Sequence, residues 1–272
     1  MPTEGCDPFD RPDNSFNTLQ GWTWIGCYGG YYLQSDLLHG KGFEHGFFTR
    51  RWQGRGPDEL AGYISAGISV HRPQQVHSGT VLNASDAHQD PWPEADGLVS
   101  TGGSQSLWVC GADCTPVLIA DSGTGHAAAC HTGWRGVAAG ILITALDRLV
   151  ERGARRKDLV VALGPAVSGT HYQVGEEVVE AIAASMADPV DLSVCGAVLP
   201  DEQPGRHRLD IRTAARLQLQ QAGLADIQIS QCPLCTVSEP ELFHSWRRDQ
   251  VKAVQWSGIV SQAAALEPVS NS

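Results

Sequence analysis

Apolar and polar positions along the chain change period several times, and each change marks an element. Trp22 to Leu33 is an aromatic run interrupted by Gly29-Gly30, which suits a hairpin or an edge strand, and Phe43 to Arg50 is a short β-like run ending in an arginine. Pro57 to Ala66 predicts a short helix with Pro57 in its first turn, where a missing N–H costs nothing. Gln74 to Val81 alternates in the manner of a strand. Ala95 to Ser100, Ser106 to Cys110 and Pro116 to Ala120 predict three more strands, and Ala127 to Cys130 the neighbour of the last. From Gly136 to Arg152 the period becomes helical, with Val137, Ile141, Ala145 and Leu149 at every fourth position and Gly153 as the stop. A strand over Leu159 to Leu163, a Gly164-Pro165 turn, helices over Gly175 to Met186 and Ile211 to Ala222, and a strand over Ile227 to Ser230 complete the pattern. Interleaved strands and helices point to an α/β (α+β) single domain, a mixed sheet with packed helices. It is expected to span residues 19–264, with a loose Pro-, Asp- and Asn-rich leader over 1–18 and a frayed tail over 265–272.

Composition narrows the classes. With 42% apolar and 18% charged residues in 272, the chain can build a substantial core. A formal net charge of −11 argues against a nucleic-acid partner, although a local basic pocket stays open. The longest apolar run, Val137 to Leu146, is too short to span a bilayer, and the first residues lack a basic region followed by an apolar one. A cytoplasmic protein, monomeric or a small homo-oligomer and free of membranes, is the expectation. Eight cysteines are too sparse for a disulfide scaffold and read as free thiols or ligands.

The densest chemistry lies between Ala112 and Arg135, which holds Asp113, Cys114, His126, Cys130, His131 and Arg135. A catalytic zinc takes three protein ligands and keeps one position open, and His77, Cys114 and His131 supply such a set. They stand 37 and 17 residues apart, too far for a zinc finger and suited to the ends of different strands. By residue type alone, a cysteine packed in an apolar strand stays an alternative. Thr132-Gly133-Trp134-Arg135-Gly136 leads directly into the predicted helix, so its positive end would sit beside the metal and favour an anion. Arg135 could clamp that anion or pair with a carboxylate. Asp113 could orient the ligand shell or be satisfied by backbone.

Six motifs then occur in one order: Gln75-Val76-His77; Ala112-Asp113-Cys114-Thr115-Pro116-Val117; His131-Thr132-Gly133-Trp134-Arg135-Gly136; Gly164-Pro165 with Tyr172-Gln173-Val174-Gly175; Leu209-Asp210; and Cys235-Thr236 with Phe243-His244-Ser245-Trp246-Arg247-Arg248. The chain resembles the YfiH-like family, also called the polyphenol oxidase or laccase-domain family, from Gly46 to about Arg248. The resemblance implies a fold related to the cytotoxic-necrotizing-factor type of cysteine hydrolase. It implies a zinc site at His77, Cys114 and His131, with copper as the alternative metal. Arg50, Asp113 and Cys114 are then the expected catalytic residues, and Arg50, Gln75 and Arg135 the expected contacts to substrate or phosphate. The implied activity is zinc-dependent purine nucleoside phosphorolysis of adenosine, inosine, guanosine or S-methyl-5'-thioadenosine, with adenosine deaminase activity beside it. Departures fall on the rim: Arg51-Trp52-Gln53-Gly54 replaces a usual Gly-Gly-Val-Ser, Ala166 a frequent Cys and Gln173 a frequent Glu.

Three rival readings follow from the same residues. A multicopper oxidase needs many histidines in close pairs, whereas this chain has ten, none in a His-x-His. A peptidoglycan-editing cysteine hydrolase would use Cys114 as nucleophile and His131 as base. The third is a non-enzymatic regulator. Cys232-Pro233-Leu234-Cys235, His126, Arg247 and Arg248 read as structural.

Overall fold

A computed structural model describes residues 19–27 and 29–262; the expected leader and tail lie outside the described residues. The strands are β1 (Trp22–Cys27), β2 (Gly30–Ser35), β3 (His45–Phe48), β4 (Ser69–His71), β5 (Val81–Asn83), β6 (Gly97–Val99), β7 (Gln105–Gly111), β8 (Thr115–Asp121), β9 (Ala127–Thr132), β10 (Leu159–Leu163), β11 (Gln173–Gly175), β12 (Val198–Pro200), β13 (Arg206–Leu209), β14 (Ile229–Gln231) and β15 (Gln255–Val260). The helices are α1 (Asp36–His39), α2 (Pro57–Ile64), α3 (Trp134–Ala138), α4 (Ile141–Glu151), α5 (Glu176–Ala184), α6 (Ile211–Gln221) and α7 (Trp246–Asp249). One six-stranded sheet runs β1-β2-β3-β15-β7-β4, a second β14-β10-β8-β9-β6-β5, and β11-β13-β12 form a small third. The fold is mixed α/β, with both large sheets combining parallel and antiparallel pairs.

The two large sheets pack face to face. Strand β8 shows why, because all seven of its residues are buried and its two faces meet different partners. Val117 and Ile119 join the core under α3 to α6, while Leu118 and Ala120 join the core between the sheets. Strand β10 divides the same way, with Leu159, Val161 and Leu163 towards the helices and Val160 and Ala162 towards the sheet. The inter-sheet face of the second sheet is rich in small residues, Ala120, Ala127, Ala129 and Ala162, opposite Trp22, Tyr31 and Phe47 of the first. Small side chains on one side thus make room for rings on the other. On the far face of the first sheet, Phe48, Trp52 and Trp108 pack with α2 in a third cluster.

Three sequence expectations change. Gln74 to Val81 is not a strand: Gln74 makes one isolated bridge to Glu94, and the chain then loops until β5 begins at Val81. The helix expected over Gly136 to Arg152 is two, broken where Gly140 adopts φ 69° and ψ 30°, a left-handed conformation that ends α3 and starts α4. The strand expected over Ile227 to Ser230 starts two residues later, after a 3₁₀ turn over Asp226–Gln228.

One buried histidine sets a pH dependence. The Nδ1 of His45 donates to the Phe43 carbonyl at 2.8 Å, and Nε2 accepts from the Ser35 N–H at 2.8 Å, so a second ring proton would face another N–H. Burial, partly offset by the bond to Phe43, brings its pKa down from 6.5 to about 4. Below pH 6.5 the unfolded chain takes up a proton that the folded imidazole refuses until about pH 4. The contribution is therefore complete above pH 6.5 and is lost as the pH falls towards 4. Urea unfolding should show a His45→Phe variant losing less stability across that window by about 3 kcal/mol. Parallel curves for the two proteins would show that His45 does not carry the dependence.

Candidate metal centre

Cys114 sits at the tight turn between β7 and β8, one residue before β8 begins. His131 is the fifth residue of the adjacent strand β9, whose Thr132 pairs with Thr115. His77 comes from the loop before β5 and lies in the left-handed region at φ 61°, costly for a side chain of this size. Their ligand atoms all lie within 4.8 Å of one another, and the rings of His77 and His131 meet edge-on at 4.8 Å. Cys114 is half-buried, His131 buried and His77 exposed.

Asp96 explains how His77 is held. It is fully buried one residue before β6, and its carboxylate accepts from the Val76, His77 and Ser78 N–H groups at 3.2, 3.0 and 2.6 Å and from the Ser78 hydroxyl at 2.9 Å. It also accepts from Nδ1 of His131 at 2.8 Å. One carboxylate therefore curls the loop that carries the first histidine and fixes the ring of the third ligand, leaving the other nitrogen of His131 towards Cys114. Burial pushes Asp96 up, but the His131 bond and those from Ser78 outweigh it and hold its pKa at about 2. His131 is lowered by burial yet raised more by Asp96 and Cys114, to about 9. Cys114 is raised by burial yet brought down to about 6 by hydrogen bonding with His131 and His77. A thiolate beside two histidines is a donor set that zinc or copper accepts once binding displaces the ring proton between His131 and Cys114, so His77, Cys114 and His131 could hold a metal ion. Among the described residues this is the one such cluster.

Space around the cluster is tight on the side of β9. A Cβ on Gly133 would lie 2.9 Å from the Cys114 sulfur and 3.5 Å from Cδ2 of His77. Its φ of −79° suits any residue, so space alone demands glycine here. Gly133→Ala should fold, lose about 1–3 kcal/mol and bind zinc at least about tenfold more weakly in a chelator competition. Unchanged affinity would show that the ligands do not need that approach.

On the other side the cluster opens into a cavity of about 580 Å³, a volume suited to a small organic molecule. Besides the three ligands its wall includes Gln75, Cys110 and Asp113, then Tyr172, then Trp246, Arg247, Val251, Lys252 and Val254 from α7 and the segment after it. Arg247 lies over the Tyr172 ring at 5.0 Å and donates to the Gln173 carbonyl at 3.2 Å. Burial, followed by the negative charge of Cys114, raises Tyr172 to about 12.

Of the other expected site residues, Asp113 and Gln75 line the cavity and Arg50 and Arg135 do not. Asp113 lines the cavity, but its carboxylate accepts from the Thr236 hydroxyl and the Arg247 N–H, each at 2.6 Å, and so latches the C-terminal segment rather than orienting the ligands. Gln75 is also a clamp: its amide donates to the Cys110 carbonyl and accepts from the Cys110 N–H, both at 2.7 Å. Arg50 is outside the cavity wall and donates to the Pro240 carbonyl at 2.6 Å. Arg135 is exposed over the Trp134 ring at 4.5 Å and is likewise absent from the wall. The helix expected to aim its positive end at the metal is the five-residue α3, too short for a substantial dipole. Arg248 braces, donating to the Thr236, Val237 and Phe243 carbonyls. Sequence reasoning missed Asp96, a lone acid opening an apolar strand, and passed over Tyr172 and Lys252.

Residues 59–262 match the family model described as multi-copper polyphenol oxidoreductase laccase. A protein of Synechocystis named purine nucleoside phosphorylase is 40% identical over 258 residues, 88% of this chain and 97% of that protein. The crystal structure of YlmD from Geobacillus stearothermophilus shares the fold with a TM-score of 0.77 at 24% identity, over 88% of this chain and 98% of that one. That of the hypothetical protein YfiH from Bacillus licheniformis does so with a TM-score of 0.76 at 25% identity, over 88% and 99%.

Proposed function

The chain belongs to the multi-copper polyphenol oxidoreductase laccase family, and from that premise we propose that it is a zinc-dependent purine nucleoside phosphorylase of the cytoplasm. The observation that supports this reading most is the opening of the His77, Cys114 and His131 cluster into a chamber that carries aromatic and cationic side chains together. A bound zinc would supply Lewis acidity and orient an oxygen nucleophile. The rest falls to the chain. Arg247 and Lys252 give the wall positive charge for phosphate despite the net acidity of the protein, taking the role expected of Arg50, Gln75 and Arg135. Trp246 offers a ring face to a purine. Phosphate oxygen would bond to the ribose anomeric carbon as the bond to purine nitrogen breaks. In net terms, the proton of hydrogen phosphate ends on the base. Adenosine deamination as a second activity would instead take water to C6 of the adenine ring, with the 6-amino group leaving as ammonia.

The name of the relative from Synechocystis supports the phosphorylase reading over copper oxidation. Several coppers would need further ligand clusters, and among the described residues there is one. A second reading has its own observation: Cys114, His131 and Asp96 line up as nucleophile, base and orienting acid of a cysteine hydrolase. One experiment separates them. Purified protein is analysed for metal and incubated with adenosine, inosine or methylthioadenosine, with and without phosphate, before and after chelation. Ribose-1-phosphate formed only with phosphate and lost on chelation is the expected result. Turnover that survives chelation and stops on alkylation of Cys114 would establish the hydrolase instead.

A further inference from the structure

Cleavage of a purine nucleoside leaves electron density on the departing base, and a donor to that base lowers the barrier. Most protic groups of the chamber are already committed. His77, Cys114 and His131 form the ligand cluster, the Asp113 carboxylate holds Thr236 and Arg247, and the Gln75 amide is closed on Cys110. Arg247 and Lys252 are cations and match the phosphate dianion. Tyr172 is different. Its ring is held under the Arg247 guanidinium and its backbone is tied at both ends, the N–H to the Gly169 carbonyl and the carbonyl to the Leu209 N–H. Its hydroxyl, by contrast, makes no hydrogen bond to any described residue, although the side chain lines the same cavity as the three ligands. An ordinary phenol is protonated throughout the neutral range, so the donor is always armed.

We infer that the Tyr172 hydroxyl is the hydrogen-bond donor to the departing purine, which makes Tyr172 a catalytic residue of the phosphorolysis and rests on the phosphorylase reading above. The phenol stabilises the electron pair that stays with the base as the glycosidic bond breaks. It keeps its own proton, since the net proton comes from hydrogen phosphate.

Tyr172→Phe tests this, because it keeps the ring under Arg247 and removes one oxygen. Inosine is compared with 7-methylinosine, whose base departs neutral and needs no donor. The variant should lose about a hundredfold in kcat on inosine and less than about threefold on 7-methylinosine. Zinc content and circular dichroism should match the parent protein. Equal losses on the two nucleosides, or a change confined to KM, would overturn the assignment and leave Tyr172 a binding wall. If the parent protein itself forms no ribose-1-phosphate from either nucleoside, the phosphorylase reading falls, and the assignment with it.

Discussion

Cys114→Ala is expected to empty the proposed metal site and to abolish the proposed phosphorolysis. With one of three donors gone, the remaining two imidazoles cannot retain the ion through dialysis, and metal analysis should fall from about one equivalent to less than about a tenth. Phosphate-dependent cleavage of inosine should drop by at least about a thousandfold, roughly 4 kcal/mol of transition-state stabilisation. Stability should change little, because Cys114 is half-buried at a cavity wall rather than packed in the core. Cys114→Ser tests the same point with a poorer donor of similar size. A full equivalent of metal or undiminished turnover in either variant would remove the thiolate from the site. Cys130 provides the control: it is completely buried on the helix-facing side of β9, its thiol pushed up to about 12 by burial, so modest changes there should leave metal content alone.

The second large effect falls on a residue outside both the three-residue cluster and the cavity wall. Asp96→Ala deprives three backbone N–H groups, one hydroxyl and one imidazole of a common acceptor inside the protein. Unpaired buried donors of this kind cost about 3–5 kcal/mol in total, and a urea midpoint would register it. Metal affinity should fall about 10- to 100-fold, because His77 loses the contacts that hold φ at 61° and His131 loses the partner that fixes its ring. Asp96→Asn separates the two losses. It fills the same space and can still accept from the loop, but it no longer offers a charged acceptor to His131, so its metal affinity should fall further than its stability. A variant that keeps its affinity while losing stability would reduce Asp96 to a purely structural anchor.

The asymmetry between these residues shows what could be read from the sequence. Strands β8, β9 and β10 were legible because both faces of each are buried, which writes them as continuous apolar runs. Cys114 and His131 were legible because they stand at the ends of such runs, and His77 because its motif completes a ligand set. Asp96 was not, since its meaning lies in contacts to residues 18 to 35 positions away. The same contacts bend Gln74 to Val81 out of the strand its alternation suggested, so one missed carboxylate accounts for a missed site residue and a wrong element. Arg50 and Arg135 carry charge in suggestive places, yet whether a long side chain faces a cavity or a neighbouring carbonyl is decided by tertiary packing. The break at Gly140 was visible as a glycine, but the apolar period ran through it unchanged.

Strand β15 enters the first sheet between β3 and β7, with β3 near the start of the chain and β7 near its middle. During synthesis the hairpin of β1 and β2 with β3, and the pair β7 and β4, therefore wait with open edges until β15 has been made. The segment that walls the substrate chamber, Trp246 to Val254, immediately precedes that strand. The three clustered side chains, His77, Cys114 and His131, are thus all translated long before the chamber they open into can close, and a nascent chain stalled before Gln255 would carry the cluster without the chamber.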